Sequence, residues 1–269
     1  MHKSKNMIIF VIDMRNYLLA ILSGILFSIS WPVNGIVYFV FFAFVPLFII
    51  VENFDFNQKR AAWKFMFFSF LSFLVFNLFT TYWVFYASPF GAAAAFILNS
   101  LFMSLVMLIY FYSTKILSKR LAYFSFVIFW LSFEYLHLNW DLSWPWLTLG
   151  NVFSESLFLI NWYKYTGILG GSLWVIIINI LVFELLKSRN GSKIFSFVIA
   201  LSLPIIISFF LQKNQSESVS GKIDVVVVQP NVDPYYEKFS IDYQKQLNDF
   251  IALARTKIDS NTILLIGPE

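Results

Sequence analysis

Two carboxylates in this chain stand where an acid needs a reason. Glu269 follows the apolar run TILLI at 262–266 through Gly267 and Pro268, and Glu134 sits inside the apolar run 121–138. A strand that carries an acid at its carboxyl end presents it where open α/β folds gather functional groups. Pro268 fixes its own φ and biases Gly267 toward extended backbone. Held this way and partly buried, Glu269 could serve as a general base; the alternative is a solvated loop residue. An acid inside a bilayer is costly and marks a functional candidate, so Glu134 is either functional or a carboxyl near an interface, hydrogen-bonded to a neighbouring helix. His137, three residues on, is its expected partner on the same helix face, as a structural pair and not a proton relay. The sequence has no Cys and two His. That excludes disulfides, thiolate metal sites and a thiol nucleophile within these residues, and neither a metal nor a cofactor is expected.

The elements that position these groups follow from composition. Of 269 residues 59% are hydrophobic and 13% charged, about half the charged share of a soluble domain. Most of the chain must therefore face lipid. The net charge of +4 does not point to nucleic acid, because most of the cations sit in short loops between apolar runs. The basic tip at His2–Lys5 and the apolar stretch after it resemble a signal peptide. Asp13 and Arg15 interrupt that pattern and no small-residue cleavage site follows, so the expectation is an uncleaved first membrane helix.

A span takes about 20 apolar residues. Seven runs qualify: 16–31, 34–51, 65–86, 92–114, 121–138, 166–186 and 194–211, with the Met7–Ile12 stretch available to lengthen the first. Pro46 and Pro204 fall within spans, which neighbouring helices can accommodate. Lys3, Lys5 and Arg15 precede the first run, and Lys59, Arg60 and Lys64 follow the second. Lys115, Lys119 and Arg120 follow the fourth, and Lys187, Arg189 and Lys193 the sixth. The alternate loops hold Lys164 and Lys213. Twelve cations against two place the N-terminus in the cytoplasm and everything after Leu211 outside.

After the seventh run the composition changes. The polar stretch 212–221 reads as a linker. IDVVVVQPN is a β-branched run suited to a buried parallel strand, and Leu247, Phe250, Ile251, Ala254 and Ile258 recur at helical spacing. Asp242 and Lys257 complement the dipole of that helix, and TILLI is a second strand. One strand–helix–strand unit cannot cover its own sheet, so residues 222–269 are expected to be the start of a domain that is incomplete in this chain.

The order VVVVQPN, helix, ILLIGPE resembles the opening of a nitrilase-superfamily (CN hydrolase) domain. TYWVFYASPFG at 81–91 and FEYLHLNWDLSWPWLTLGN at 133–151 resemble membrane segments of the bacterial apolipoprotein N-acyltransferase family. The resemblance implies a polytopic α-helical membrane protein of about seven transmembrane helices (1–211), followed by the first βαβ unit of an extracytoplasmic α/β nitrilase-like domain (222–269), in the bacterial cytoplasmic (inner) membrane. It further implies acyl transfer from a phospholipid donor to the N-terminal amine of a lipoprotein acceptor, by a Glu–Lys–Cys triad in which Glu269 is the base. The Lys and Cys would lie beyond residue 269, so this chain alone would be inactive. Two residues depart from the family pattern: Gly267 stands where Trp precedes Pro-Glu, and Phe239, after Lys238, stands where Trp is common. With Trp144, Trp146 and Glu134, Phe239 is a candidate substrate contact. The aromatic loop Trp140, Trp144, Pro145, Trp146 is alternatively an interfacial belt. Asn77, Asn99 and Asn179 are expected to bond between helices, the many Phe to face lipid, and Gly167, Gly170 and Gly171 to allow close packing. The other readings are a membrane-anchored amidase acting on soluble substrates, and a transporter or sensor without catalysis.

Overall fold

A computed structural model describes residues 2–32, 35–56, 58, 60–213, 223–233 and 236–267, with side chains from residue 13 onward. Two units divide at Gln215 and Ser216. The first is helical: α1 (His2–Ser30), α2 (Val45–Glu52), α3 (Ala61–Thr81), the short α4 (Val84–Ala87), α5 (Pro89–Ile116), α6 (Lys119–His137), α7 (Tyr163–Lys187) and α8 (Gly191–Lys213). Among the described residues four of these, α3, α5, α7 and α8, are long and apolar enough to cross a membrane. The first apolar run does extend backward, α1 beginning at His2.

The second expected span is not one continuous helix. Residues 34 and 33 lie outside the described set; the rest is a 3-10 segment, Val37–Phe42, followed by the eight residues of α2. Six residues at about 2 Å and eight at about 1.5 Å rise roughly 24 Å, and residues 35–36 and 43–44 lengthen the segment toward a core of about 30 Å. Pro46 therefore lies in the first turn of α2, where its missing N–H costs nothing. Asn179 of α7 fastens the break: its Oδ1 accepts the Phe44 N–H at 2.8 Å, and its Nδ2 donates to Val40 O at 2.8 Å. Pro204, by contrast, is carried inside α8. Asn77 and Asn99 join α3 to α5 as expected, Asn99 Nδ2 donating to Asn77 Oδ1 at 2.8 Å.

The Phe excess is not only lipid-facing. Phe27, Phe44, Phe48, Phe73, Phe76 and Phe126 are fully buried, and Phe44, Phe73 and Phe126 pack on Trp130. Phe44 meets Trp130 edge-on at 4.7 Å, the geometry aromatic pairs prefer. The glycines of α7 also divide. Gly171 permits close approach, since a Cβ there would strike the Tyr163 hydroxyl. Gly167 is needed for its backbone, φ 63° and ψ −170°, a break in the helix with open space around it.

Charged residues gather at one end of the helical unit. Glu184 accepts from the Tyr123 hydroxyl at 2.6 Å and pairs with Lys119 and with Lys193 (3.1 Å). Lys187 pairs with Glu52, and Lys64 lies 3.4 Å from Asp13. The ends of α2 and α7 and the starts of α6 and α8 thus meet, as loops on the same side of a bilayer must.

In the second unit β1 (Asp224–Val227) and β2 (Thr262–Ile266) pair in parallel, with α9 (Tyr243–Arg255) between them in sequence. Asp242 caps α9, its Oδ2 accepting from the Gln244 and Lys245 N–H groups, while Lys257 lies past the helix end. Both strands are bare: Val227, Ile263 and Ile266 are exposed although their residue types suit a buried sheet.

Candidate functional site

The stretch 139–165, expected as an outer loop, folds inward through three short 3-10 segments, Pro145–Leu147, Leu149–Phe153 and Leu157–Leu159, before α7 begins at Tyr163. Leu147, Leu149, Val152, Phe153 and Leu159 are buried. Irregular backbone packed among apolar helices must have its polar groups satisfied by protein, and Glu134 does much of this. The residue is 2% exposed. Oε1 accepts the Leu149 N–H at 2.8 Å and the Trp130 Nε1–H at 3.0 Å. Two residues of α7's first turns hold the next position: the Gly150 N–H donates to Ser172 Oγ at 3.0 Å, and the Tyr163 hydroxyl donates to Gly150 O at 2.9 Å. The Ser172 hydroxyl also adjoins the Glu134 carboxyl, whose Oε2 lacks a full hydrogen bond.

The expected Glu134–His137 pair does not form. His137 Nδ1 instead accepts the Trp140 Nε1–H at 3.0 Å. Glu134 turns toward the loop because the loop presents a buried backbone N–H, which no residue on α6's own face could offer.

The segment anchored by Glu134 carries Trp144 and Trp146, whose rings meet edge-on at 5.0 Å. Trp146, 49% exposed, also meets Trp83 edge-on at 5.9 Å. With Trp31, Thr81, Asn151 and Ser154 these two rings line an open depression of about 290 Å³. Apolar faces and hydroxyl or amide groups alternate there, so it can hold an amphipathic molecule by its polar–apolar junction. Asn151 Nδ2 braces the loop by donating to Pro145 O at 2.8 Å. Three of the candidate substrate contacts, Glu134, Trp144 and Trp146, are thus brought into one assembly, Glu134 as its anchor and the two Trp as its surface. Tyr163 and Ser172 were not legible as parts of it, since both act through the backbone of Gly150, distant in sequence, whereas Trp130 donates to the Glu134 side chain four residues on along α6.

Phe239 belongs to the second unit, in the turn before α9, 87% exposed and with Lys238 Nζ 5.9 Å from its ring centre. Glu269 and Pro268 lie outside the described residues. Gly267, the departure from Trp, has a local cause: a Cβ there would meet Phe250 Cε2 of α9 at 2.6 Å, so that ring fills the space a larger residue would need. Among the described residues no group of three His, Asp or Glu is placed to hold a metal ion.

Four helices able to cross a bilayer, with an aromatic loop folded into one end, define a polytopic helical membrane domain. A sequence profile described as the apolipoprotein N-acyltransferase N-terminal domain matches residues 23–181, more than half of the chain. The chain belongs to that family. It is 26% identical over 265 residues to an apolipoprotein N-acyltransferase of Chlorobaculum tepidum, covering 95% of this chain and 49% of that protein. It is 27% identical over 281 aligned residues to one of Thermotoga maritima, covering 93% and 50%, and 26% identical to apolipoprotein N-acyltransferase 1 of Treponema denticola, covering 84% and 43%. The chain thus spans about half the length of the curated relatives it matches.

Proposed function

We propose that this chain is the membrane portion and the opening of the catalytic domain of an apolipoprotein N-acyltransferase. The enzyme would move a fatty acyl chain from a phospholipid to the N-terminal amine of a lipoprotein's lipidated cysteine. The observation that carries the reading is the family match across the helical unit, followed by a parallel strand pair whose apolar faces are bare and call for further strands and helices. In this reading residues 222–269 begin a nitrilase-like domain outside the cytoplasmic membrane, after seven crossings from a cytoplasmic N-terminus.

The proposed chemistry runs in two steps. A cysteine thiol from the rest of the enzyme gives its proton to Glu269, and the thiolate attacks the ester carbonyl of the phospholipid. A lysine ammonium, also outside this chain, stabilises the oxyanion. The glycerol oxygen leaves as an alcohol, taking up the proton, and a thioester remains. The lipoprotein amine then attacks the thioester, its proton passes by way of Glu269 to the departing thiolate as the C–S bond breaks, and an amide is formed. The Trp83–Trp146 depression suits the entry of lipid-anchored substrates, because both would arrive at the membrane surface.

The test uses the full-length enzyme and phospholipid labelled in its acyl chain. Label should appear on protein as a hydroxylamine-sensitive thioester, and Glu269→Gln should reduce its formation by at least about 10²-fold, the usual scale for a lost general base. No thioester with any phospholipid donor, together with hydrolysis of a soluble amide, would favour the anchored amidase.

A further inference from the structure

At the end of the helical unit opposite the aromatic loop, a cavity of about 300 Å³ opens among α2, α5, α6 and the last turn of α7. The nineteen residues of α6, about 28 Å, separate the two places. Phe48, Val51 and Phe56 form an apolar wall, and Glu52, Lys119 and Lys187 bring charge to it. Tyr110 also lines the cavity. That residue is 3% exposed, its ring enclosed by those of Phe48, Tyr123 and Phe126 at 5.1–6.2 Å. Its hydroxyl makes no hydrogen bond among the described residues, yet it is not sealed from solvent. A hydroxyl neither partnered nor sealed, on a ring shut in by other rings, faces the cavity. A phenol held there without a partner is costly and calls for an acceptor.

Charge sets the kind of acceptor. Lys119, Lys187 and Lys193 meet Glu52 and Glu184 here, three positive charges against two negative. The Lys119 ammonium adjoins that of Lys187, a pairing of like charges that an anion between them relieves. The two carboxylates are unequally committed. Glu184 is held by three donors: the Tyr123 hydroxyl, Lys119 and Lys193. Glu52, its side chain 44% exposed, pairs with Lys187. So exposed an ion pair is weak, and an incoming anion can take Lys187 from it. Two ammonium groups and a phenol converging on one spot need an anion with three acceptor oxygens around one centre. Phosphate has them and a carboxylate does not, and lysine is an established partner of phosphate.

We infer that this cavity binds a phosphate ester, its phosphate between Lys119 and Lys187 and against the Tyr110 hydroxyl, its organic part on Phe48, Val51 and Phe56. Glu52 is the competitor that the phosphate displaces. The ester is a lipid headgroup of the adjoining leaflet or a soluble phosphate. The positive loops assign this end to the cytoplasm, across the bilayer from the proposed acyl transfer. The site is therefore separate from that of the acyl donor, and the inference stands whether or not the acyltransferase reading does.

The test measures binding to the detergent-solubilised chain. Phosphatidic acid and the diacylglycerol of the same acyl chains are compared by native mass spectrometry, and glycerol 3-phosphate and glycerol by equilibrium dialysis. At least one phosphate ester should bind tenfold or more tighter than its phosphate-free counterpart. Lys187→Gln and Tyr110→Phe should each weaken that binding at least fivefold. Glu52→Gln should tighten it at least threefold, where a merely structural cluster would lose affinity along with its ion pair. This last change is at an exposed side chain and keeps the test open if either of the others fails to fold. Phosphatidic acid binding at least as tightly as glycerol 3-phosphate assigns the site to a headgroup, and weaker binding assigns it to a soluble ester. No preference for phosphate in either pair, unchanged binding in a folded Lys187→Gln or Tyr110→Phe variant, or no tightening by Glu52→Gln overturns the inference.

Discussion

The Leu149 N–H reaches Glu134 Oε1 at 2.8 Å, fifteen residues apart in sequence, and through this bond an acid on α6 holds a loop folded between the helices. The bond has a direction that matters. Glu134 is used as an acceptor, for Leu149 and for Trp130, and neither bond requires it to give up or take a proton during a reaction.

An anchoring role separates two substitutions. Glu134→Gln keeps an oxygen acceptor in place and should retain thermal stability in detergent and leave the 139–162 loop resistant to proteases. Glu134→Leu leaves the Leu149 and Trp130 donors buried and unpaired, at about 1–3 kcal/mol each. It should lower the midpoint clearly and expose the loop to cleavage. Equal damage from both variants would point to a charge or proton role instead.

Asn179 is the corresponding anchor for the broken second segment. Asn179→Leu keeps the volume but strands the Phe44 N–H, and leaves the Val40 carbonyl with the Ala43 N–H alone. Stability should fall by about 1–3 kcal/mol, one unpaired buried group's worth, with early protease sensitivity between residues 37 and 52. A loss below about 0.5 kcal/mol, the usual range for an inconsequential surface change, would mean that the segment is held by packing alone.

These two anchors mark the limit of what sequence could reveal. Long apolar runs located α3, α5, α6, α7 and α8 to within a few residues, because length and hydropathy suffice for a helix in lipid. The β1–α9–β2 order was equally legible, since a β-branched run and a helical period are local signals. The run 34–51 reads as one span because nearly every residue in it is apolar; the side chain that holds its break, Asn179, lies far along the chain. The aromatic loop reads as external because it is polar enough to be so, and its burial depends on Glu134, Ser172 and Tyr163 together. The Glu134–His137 pairing failed for the same reason: spacing along a helix cannot foresee a competing backbone donor from elsewhere. Trp144 and Trp146 were legible as candidates, but Trp83 and Trp31 join Trp146 only through the fold.

Gly167 offers a test of backbone geometry free of packing. A methyl group there meets nothing within 4 Å, yet φ 63° with ψ −170° is a region open essentially to glycine. Gly167→Ala should cost about 1–3 kcal/mol through backbone strain alone, seen as a lower thermal midpoint. An unchanged midpoint would show that α7 can run straight through residue 167 without loss.

The absence of Cys from these 269 residues makes the proposed topology directly measurable on this chain, because within them any single introduced thiol is the only one to label. Ser118 and Gly191 are exposed at the starts of α6 and α8, beside the charged cluster of Lys119, Glu184 and Lys193. Asp141 is exposed on the aromatic loop and Lys213 at the end of α8. Twelve cations flank the first pair's side, and positive loops stay in the cytoplasm. In intact spheroplasts a membrane-impermeant maleimide should therefore label Asp141→Cys and Lys213→Cys and spare Ser118→Cys and Gly191→Cys, with all four labelled once the membrane is opened. The reverse pattern would invert the protein. Labelling of Asp141→Cys but not Lys213→Cys would remove one crossing after the loop and put the second unit in the cytoplasm, where the proposed acyl transfer to a lipoprotein could not occur.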